Sequence, residues 1–240
     1  MSEPAPPPPV APVPPSRRRR LWIVLVLIVA IPVVTFMVLA GTAVQLAGWR
    51  AFHMASGGML PSLLRTDQFF VDLNAYADGR QPARGDLIVY RVPDNAGSLS
   101  TFGGRRAEFV QRVIGLPGEQ IEMRKGVPVI NGRPAVQERV GEFAADRPGL
   151  PGRAATRLRE RFADGATFEI IKYSRNGPAD EGGPVTVPAS SYFVMGDNRD
   201  DSLDGRAGWW FVPADHLVGR ANYIYWSGLE QLGRMGTALK

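Results

Sequence analysis

None of the 240 residues is cysteine, and that absence excludes a disulfide scaffold, a thiol nucleophile, a thiolate zinc site and an iron–sulfur cluster. Histidine is nearly absent as well: only His53 and His216 occur, so a metal site built from several imidazoles is excluded, and no metal is expected. Lysine is the third shortage. Of 28 basic residues only Lys125, Lys172 and Lys240 carry an amine, so any lysine general base must be one of these. The chain has no Walker-type phosphate loop and no G-x-G-x-x-G, which leaves nucleotide binding unsupported. No cofactor is expected, and the chemistry falls to oxygen, amide and amine groups.

The net charge of +5 is unevenly placed. Residues 1–20 hold Arg17, Arg18, Arg19 and Arg20 against Glu3, and from Leu21 onward 24 basic groups face 22 acidic ones. A nearly balanced body with one arginine block argues against nucleic acid as a partner. Residues 1–15 contain eight prolines, which remove backbone donors and fix φ, so this stretch is expected to be an extended tail.

From Leu21 to Trp49 no ionisable side chain occurs. A membrane-spanning helix needs about 20 apolar residues. Pro32 is tolerated in such a helix, and the run is too long for the apolar region of a cleaved signal peptide. The expected organisation is a cytoplasmic tail over 1–20, an anchor over 21–46 and an extracytoplasmic domain over 47–240. Arginine collects on the cytoplasmic side, which places the N-terminus inside and the main domain outside, in the periplasm of a bacterium with membrane lipid around the anchor.

Beyond the anchor, short apolar or β-branched runs are bounded by Gly, Pro, Asn or Asp: Phe69–Leu73, Asp86–Val92, Phe109–Ile114, Gln120–Met123, Val127–Ile130, Phe168–Tyr173, Tyr192–Met195 and Leu217–Trp226. Asn131-Gly132 suits a tight hairpin turn. One helix outside the membrane is expected, over Ala154–Phe162, within a polar insert spanning 141–165. These signals predict an all-β domain with an inserted loop or small subdomain, preceded by one N-terminal transmembrane helix.

Three islands carry candidate chemistry. Met54–Leu64, MASGGMLPSLL, pairs glycines with a proline, which lets backbone N–H groups face a bound acyl group, although the same residues also make plain turns. Arg84–Pro93 and Glu108–Glu119 read as strand–turn segments, in which a buried Arg112 requires a carboxylate partner. Val194–Arg206, VMGDNRDDSLDGR, reads first as a polar turn. Asp200, Ser202, Asp204 and Gly205 imitate the start of a calcium loop, but Phe211 stands where that loop needs a bidentate glutamate.

In order and spacing the anchor, SGGMLPSL, RGDLIVYRVP, FVQRVIGLPGE and GDNRDDSLDGR followed by FVPADHLVGRA resemble the bacterial type I signal peptidases. The resemblance covers roughly Ala51 to Ile224. It implies a β domain on the membrane in which a serine attacks the signal-peptide carbonyl and a buried neutral lysine takes its proton. The family pattern Ser-Gly-Ser-Met-x-Pro-Thr-Leu aligns with Ser56 to Leu63, so the nucleophile position is Gly58. The family's Lys-Arg pair before Val/Ile-Gly-Leu-Pro-Gly aligns with Gln111-Arg112, so the general-base position is Gln111. A carboxamide does not accept a proton near neutrality.

The supporting residues carry over one by one. The resemblance implies that Ser56 offers its hydroxyl and Gly58 its N–H to an oxyanion, that Ser202 lies beside the missing amine, and that Asp197 pairs with Arg112 and Asp204 with Arg206. Met59 and Pro61 would line the substrate groove. Gly205 departs from the usual serine and Asp201 from the usual asparagine. The expected function is that of a signal peptidase homologue that engages the signal peptides of exported preproteins, impaired in catalysis, with the translocon or an active signal peptidase as further candidate partners. The alternatives are an active peptidase using Ser56 or Ser62, and a structural or assembly protein that binds no peptide.

Overall fold

The computed structural model describes residues 17–94, 101–102, 105–144, 154–174, 177 and 179–239. The proline-rich stretch, the middle of the 141–165 insert and Lys240 lie outside the described residues. The chain divides after Ala47 into two units. In the first, a single helix α1 (Arg17–Leu46) runs through Pro32, and its segment Val24–Leu46 is long and apolar enough to cross a membrane. Its large side chains, Phe36 and Leu39 among them, are exposed along its length.

The second unit is built from strands, sixteen among the described residues: β1 (Trp49–His53), β2 (Gln68–Asp72), β3 (Leu87–Arg91), β4 (Thr101–Phe102), β5 (Arg105–Arg106), β6 (Glu108–Gly115), β7 (Gln120–Arg124), β8 (Val127–Ile130), β9 (Arg133–Pro134), β10 (Val136–Ala144), β11 (Ala154–Arg161), β12 (Thr167–Lys172), β13 (Gly182–Thr186), β14 (Ser191–Met195), β15 (Val212–Pro213) and β16 (Leu217–Trp226). The main sheet has seven strands in the order β1-β2-β16-β3-β6-β14-β15. A four-stranded sheet, β13-β7-β8-β9, and a three-stranded one, β10-β11-β12, complete the body beside the small β4-β5 ribbon.

Each of the eight expected runs lies on a strand. The uninterrupted Leu-Ile-Val-Tyr of β3 follows from burial on both faces, because Leu87 and Val89 join one apolar cluster with Met59 and Phe69 while Ile88 and Tyr90 join another with Trp210. Asn131 and Gly132 make the β8–β9 turn with φ of 50° and 76°, and Lys125 and Gly126 make the β7–β8 turn with φ of 51° and 78°, the left-handed pair that two-residue hairpins demand.

The helix expected over Ala154–Phe162 does not form; Ala154–Arg161 is strand β11, paired on both sides with β10 and β12. Cross-strand charge decides the matter. Arg157 and Arg159, both on the exposed side, reach Glu169 of β12, while Glu160 between Arg159 and Arg161 turns inward and is fully buried. Arg-rich sequence favours a helix by propensity, but pairing and one buried carboxylate override it.

Glu160 accepts from both terminal nitrogens of Arg199, which is itself buried, so the three-stranded sheet is fastened to the turn after β14 by a bidentate pair. Removing one partner of such a pair strands the other charge. Glu160→Ala is therefore expected to cost about 3–5 kcal/mol in urea unfolding, against less than about 1 kcal/mol for removing the exposed Glu142 that pairs with Arg139.

Candidate functional site

Arg112 organises the site. It sits on β6 between β3 and β14, with Leu87 and Met195 as its register partners, and its guanidinium is buried. Nε and one terminal nitrogen each donate to Asp197 at 2.7 Å, the other terminal nitrogen donates to the Gly85 carbonyl at 2.6 Å, and the Phe168 ring lies 4.3 Å from its centre. Ser62 completes the arrangement, donating to Asp197 at 2.5 Å and accepting from Arg112 at 3.1 Å. A buried ion pair needs this degree of hydrogen bonding to offset desolvation.

The residue after Asp197 holds the glycine loop. The Asn198 amide N–H donates to the Gly58 carbonyl at 3.0 Å and its side-chain amide donates to the Gly57 carbonyl at 2.9 Å. With both carbonyls bound on that side, the Gly58 N–H is left to face Ser56, whose Oγ lies 3.4 Å away. Gly196 must be glycine for the loop to approach: a Cβ there would stand 2.0 Å from Ser202 Oγ and 2.6 Å from the Gly58 carbonyl. Asp204 accepts from the Gly196 N–H at 2.9 Å and binds Arg206 through both carboxylate oxygens.

From the far side of the sequence, Arg234 donates to the buried Asp67 at 2.7 Å and to the Ser62 carbonyl at 2.9 Å. Asp67 also accepts from the Leu64 N–H and from Ser227. The segment from Gly57 to Asp67 is thus held from three directions. It contains a cis Leu60–Pro61 bond.

Between this loop and β6 opens a cavity of about 350 Å³. Its apolar wall includes Phe52, Met54, Met59, Phe69, Val89 and Val110, and its polar end is formed by Ser56, Gly58, Gln111 and Ser202. His53, Glu108 and Asp201 line it too. The expected groove residues divide: Met59 lines the cavity, and Pro61 is not among its lining residues.

The structure brings Gly58, Gln111, Ser56 and Ser202 to one end of this cavity, and Arg112, Asp197, Asp204 and Arg206 into the pairs that surround it. Gln111 is 4 % exposed. Its Nε2 donates to the Leu203 carbonyl at 2.8 Å and lies 3.4 Å from Ser202 Oγ, while its Oε1 accepts from the Tyr90 hydroxyl at 2.6 Å. Burial, and then the charge of Asp204, push the Tyr90 phenol well above its ordinary range, so it stays a donor.

No lysine among the described residues can serve here as a base. Lys172 is buried on Asp180, 2.6 Å away, with Asp200 at 3.2 Å, and Lys125 is exposed at the β7–β8 turn. Ser62 is committed to the Arg112–Asp197 pair. Ser56 is exposed at the cavity and, among the described residues, its one hydrogen bond is from the Gly58 N–H. The calcium imitation is used up otherwise: Asp200 binds the Tyr173 and Ser174 N–H groups, and Asp204 holds Arg206.

Two contributors escape sequence reasoning. Asn198 lies inside the quoted GDN island, and its role could have been inferred from an amide next to an arginine-bound aspartate. Tyr90 left no such signal, since the contact depends on the pairing of β3 with β6.

Residues 22–226 match the family model described as "Signal peptidase, peptidase S26". The chain is 31% identical over 202 residues to "Signal peptidase I" of Leptolyngbya laminosa, covering 82% of this chain and 80% of that one. It is 26% identical over 218 residues to "Signal peptidase I" of Rickettsia typhi, covering 80% and 78%. Among solved structures, a signal peptidase I from Enterococcus faecalis is 25% identical, with a TM-score of 0.33, and the match covers 58% of this chain and 96% of that one.

The two glycines of the site differ in tolerance. A Cβ at Gly58 would meet Ser202 Oγ at 3.5 Å and the Asp201 carbonyl at 3.7 Å, which is ordinary contact. Gly58→Ser is expected to change the unfolding free energy by less than about 0.5 kcal/mol. Gly196→Ala, which drives a methyl into the Ser202 side chain and the Gly58 carbonyl, is expected to cost about 1–3 kcal/mol, both read from urea denaturation.

Proposed function

The chain belongs to the S26 signal peptidase family, and from that premise we propose that it engages the signal peptides of exported preproteins in the cavity beside Gly58 while cleaving them at or near the background rate. The observation that carries this reading is the pair Gly58 and Gln111: at the two positions where the family resemblance expects a nucleophilic serine and a lysine base, this chain has no side chain and a carboxamide. The apolar wall of Met59, Phe69 and Val89 suits small aliphatic side chains, and the Gly58 N–H with the Ser56 hydroxyl suits a peptide carbonyl. Arrangement in the membrane follows from the sequence: tail 1–20 inside the cell, 21–46 through the inner membrane, and 47–240 in the periplasm. In this role the protein holds or presents signal peptides, alone or beside an active peptidase or the translocon.

A second reading keeps activity and gives it to Ser56, which is exposed and lines the same cavity as His53. Ser62 supports it less, being tied to Asp197 and Arg112. The two readings separate in one assay on detergent-solubilised protein with a preprotein carrying an Ala-x-Ala site. Serine proteases stripped of nucleophile and base retain about 10³ to 10⁴ over the uncatalysed rate, a small part of a full enzymatic acceleration, so turnover indistinguishable from the blank on the time scale of the assay is expected. Cleavage at ordinary enzymatic rates, lost on Ser56→Ala, would establish the second reading instead. A fluorescent signal peptide that neither binds nor is cleaved would leave an assembly role.

A further inference from the structure

Tyr90 is fully buried on β3, two residues from Ile88, the register partner of Gln111, so both side chains lie on one face of the sheet. Its hydroxyl has one hydrogen bond among the described residues, the 2.6 Å donation to Gln111 Oε1. Gln111 is in turn fixed at its other end by the Leu203 carbonyl and Ser202. The carboxamide is therefore held at both ends, by the Tyr90 hydroxyl on its oxygen and the Leu203 carbonyl on its nitrogen, at the base position itself.

We infer that Tyr90 is a positioning residue that fixes the Gln111 carboxamide and would deny an amine at position 111 a free lone pair, so that the non-catalytic site consists of Gly58, Gln111 and Tyr90 together. The inference rests on the loss of peptidase function proposed above. An amine acting as general base needs its lone pair free to take the hydroxyl proton of an attacking serine. A phenol within reach interferes in either orientation. As donor it occupies the lone pair; as acceptor it stabilises the ammonium, which has no lone pair to offer. Leaving the hydroxyl unbonded is the costly third choice, because it is buried. A phenyl ring in its place keeps the packing against Trp210 and Phe109 and gives an amine the apolar surroundings that favour its neutral form.

The test compares two full-length variants in detergent on the same preprotein: Gly58→Ser with Gln111→Lys, and that pair with Tyr90→Phe added. The three-residue variant is expected to turn over about tenfold faster in kcat, with KM the same within about twofold, the size of one hydrogen bond released from the base. A merely packing effect of Tyr90 would move KM or the melting temperature instead, and both are read on the same samples. Equal kcat with and without the hydroxyl, background from both included, overturns the inference, and so does a slower three-residue variant. A second readout needs no turnover. Labelling of the amine introduced at 111 by an acylating reagent at neutral pH, followed by mass spectrometry, should be faster without the hydroxyl, and equal labelling overturns the inference. Cleavage by the unaltered chain would instead sink the proposed function, and the comparison of the two variants would still decide the role of Tyr90.

Discussion

Arg112 carries a permanent charge into the interior, and the fold around the site is arranged to satisfy it. A guanidinium cannot shed its proton, so its burial demands acceptors in a fixed fork. It finds them in Asp197 and the Gly85 carbonyl, with Ser62 bridging, and these come from three separate segments of the chain. Because Asn198 follows Asp197 and grips the carbonyls of Gly57 and Gly58, the position of the glycine loop is set at one remove by the ion pair. The geometry of the cavity therefore depends on charges that do not line it.

That separation means that the form of the site does not rest on the side chains at positions 58 and 111 alone. The ion pairs behind the cavity, Arg112 with Asp197 and Asp204 with Arg206, are buried and hydrogen-bonded, and neither includes position 58 or 111. The neighbourhood has nevertheless adjusted in places. A Cβ on Gly205, where the family resemblance expects serine, would lie 2.9 Å from both the Phe193 ring and the Val194 carbonyl, so the surroundings have settled around a residue without a side chain.

How much of this was legible in the sequence varied with the range of the interaction. Strands announced themselves because alternation and apolar runs are local, and the Asn131-Gly132 turn did so because few residue pairs adopt its dihedrals. The Arg112–Asp197 and Asp204–Arg206 pairs were expected because the family resemblance implies them. The stretch Ala154–Phe162 misled because local propensity cannot reveal that Glu160 meets Arg199, a partner 39 residues away. Tyr90 was invisible for the same reason: its significance lies in a strand register, and a register is a property of two segments at once. Pro61 was expected in the groove by its position in a motif, and the cavity beside Gly58 is lined by Met59 without it.

The contact of Arg234 with Asp67 and the Ser62 carbonyl links residues 167 and 172 positions apart. The loop that carries Ser56 and Gly58 leaves the ribosome long before Arg234, one of its anchors, does. A chain whose synthesis has not reached Arg234 lacks that anchor, so the loop takes its final form only after the strands between them have been made.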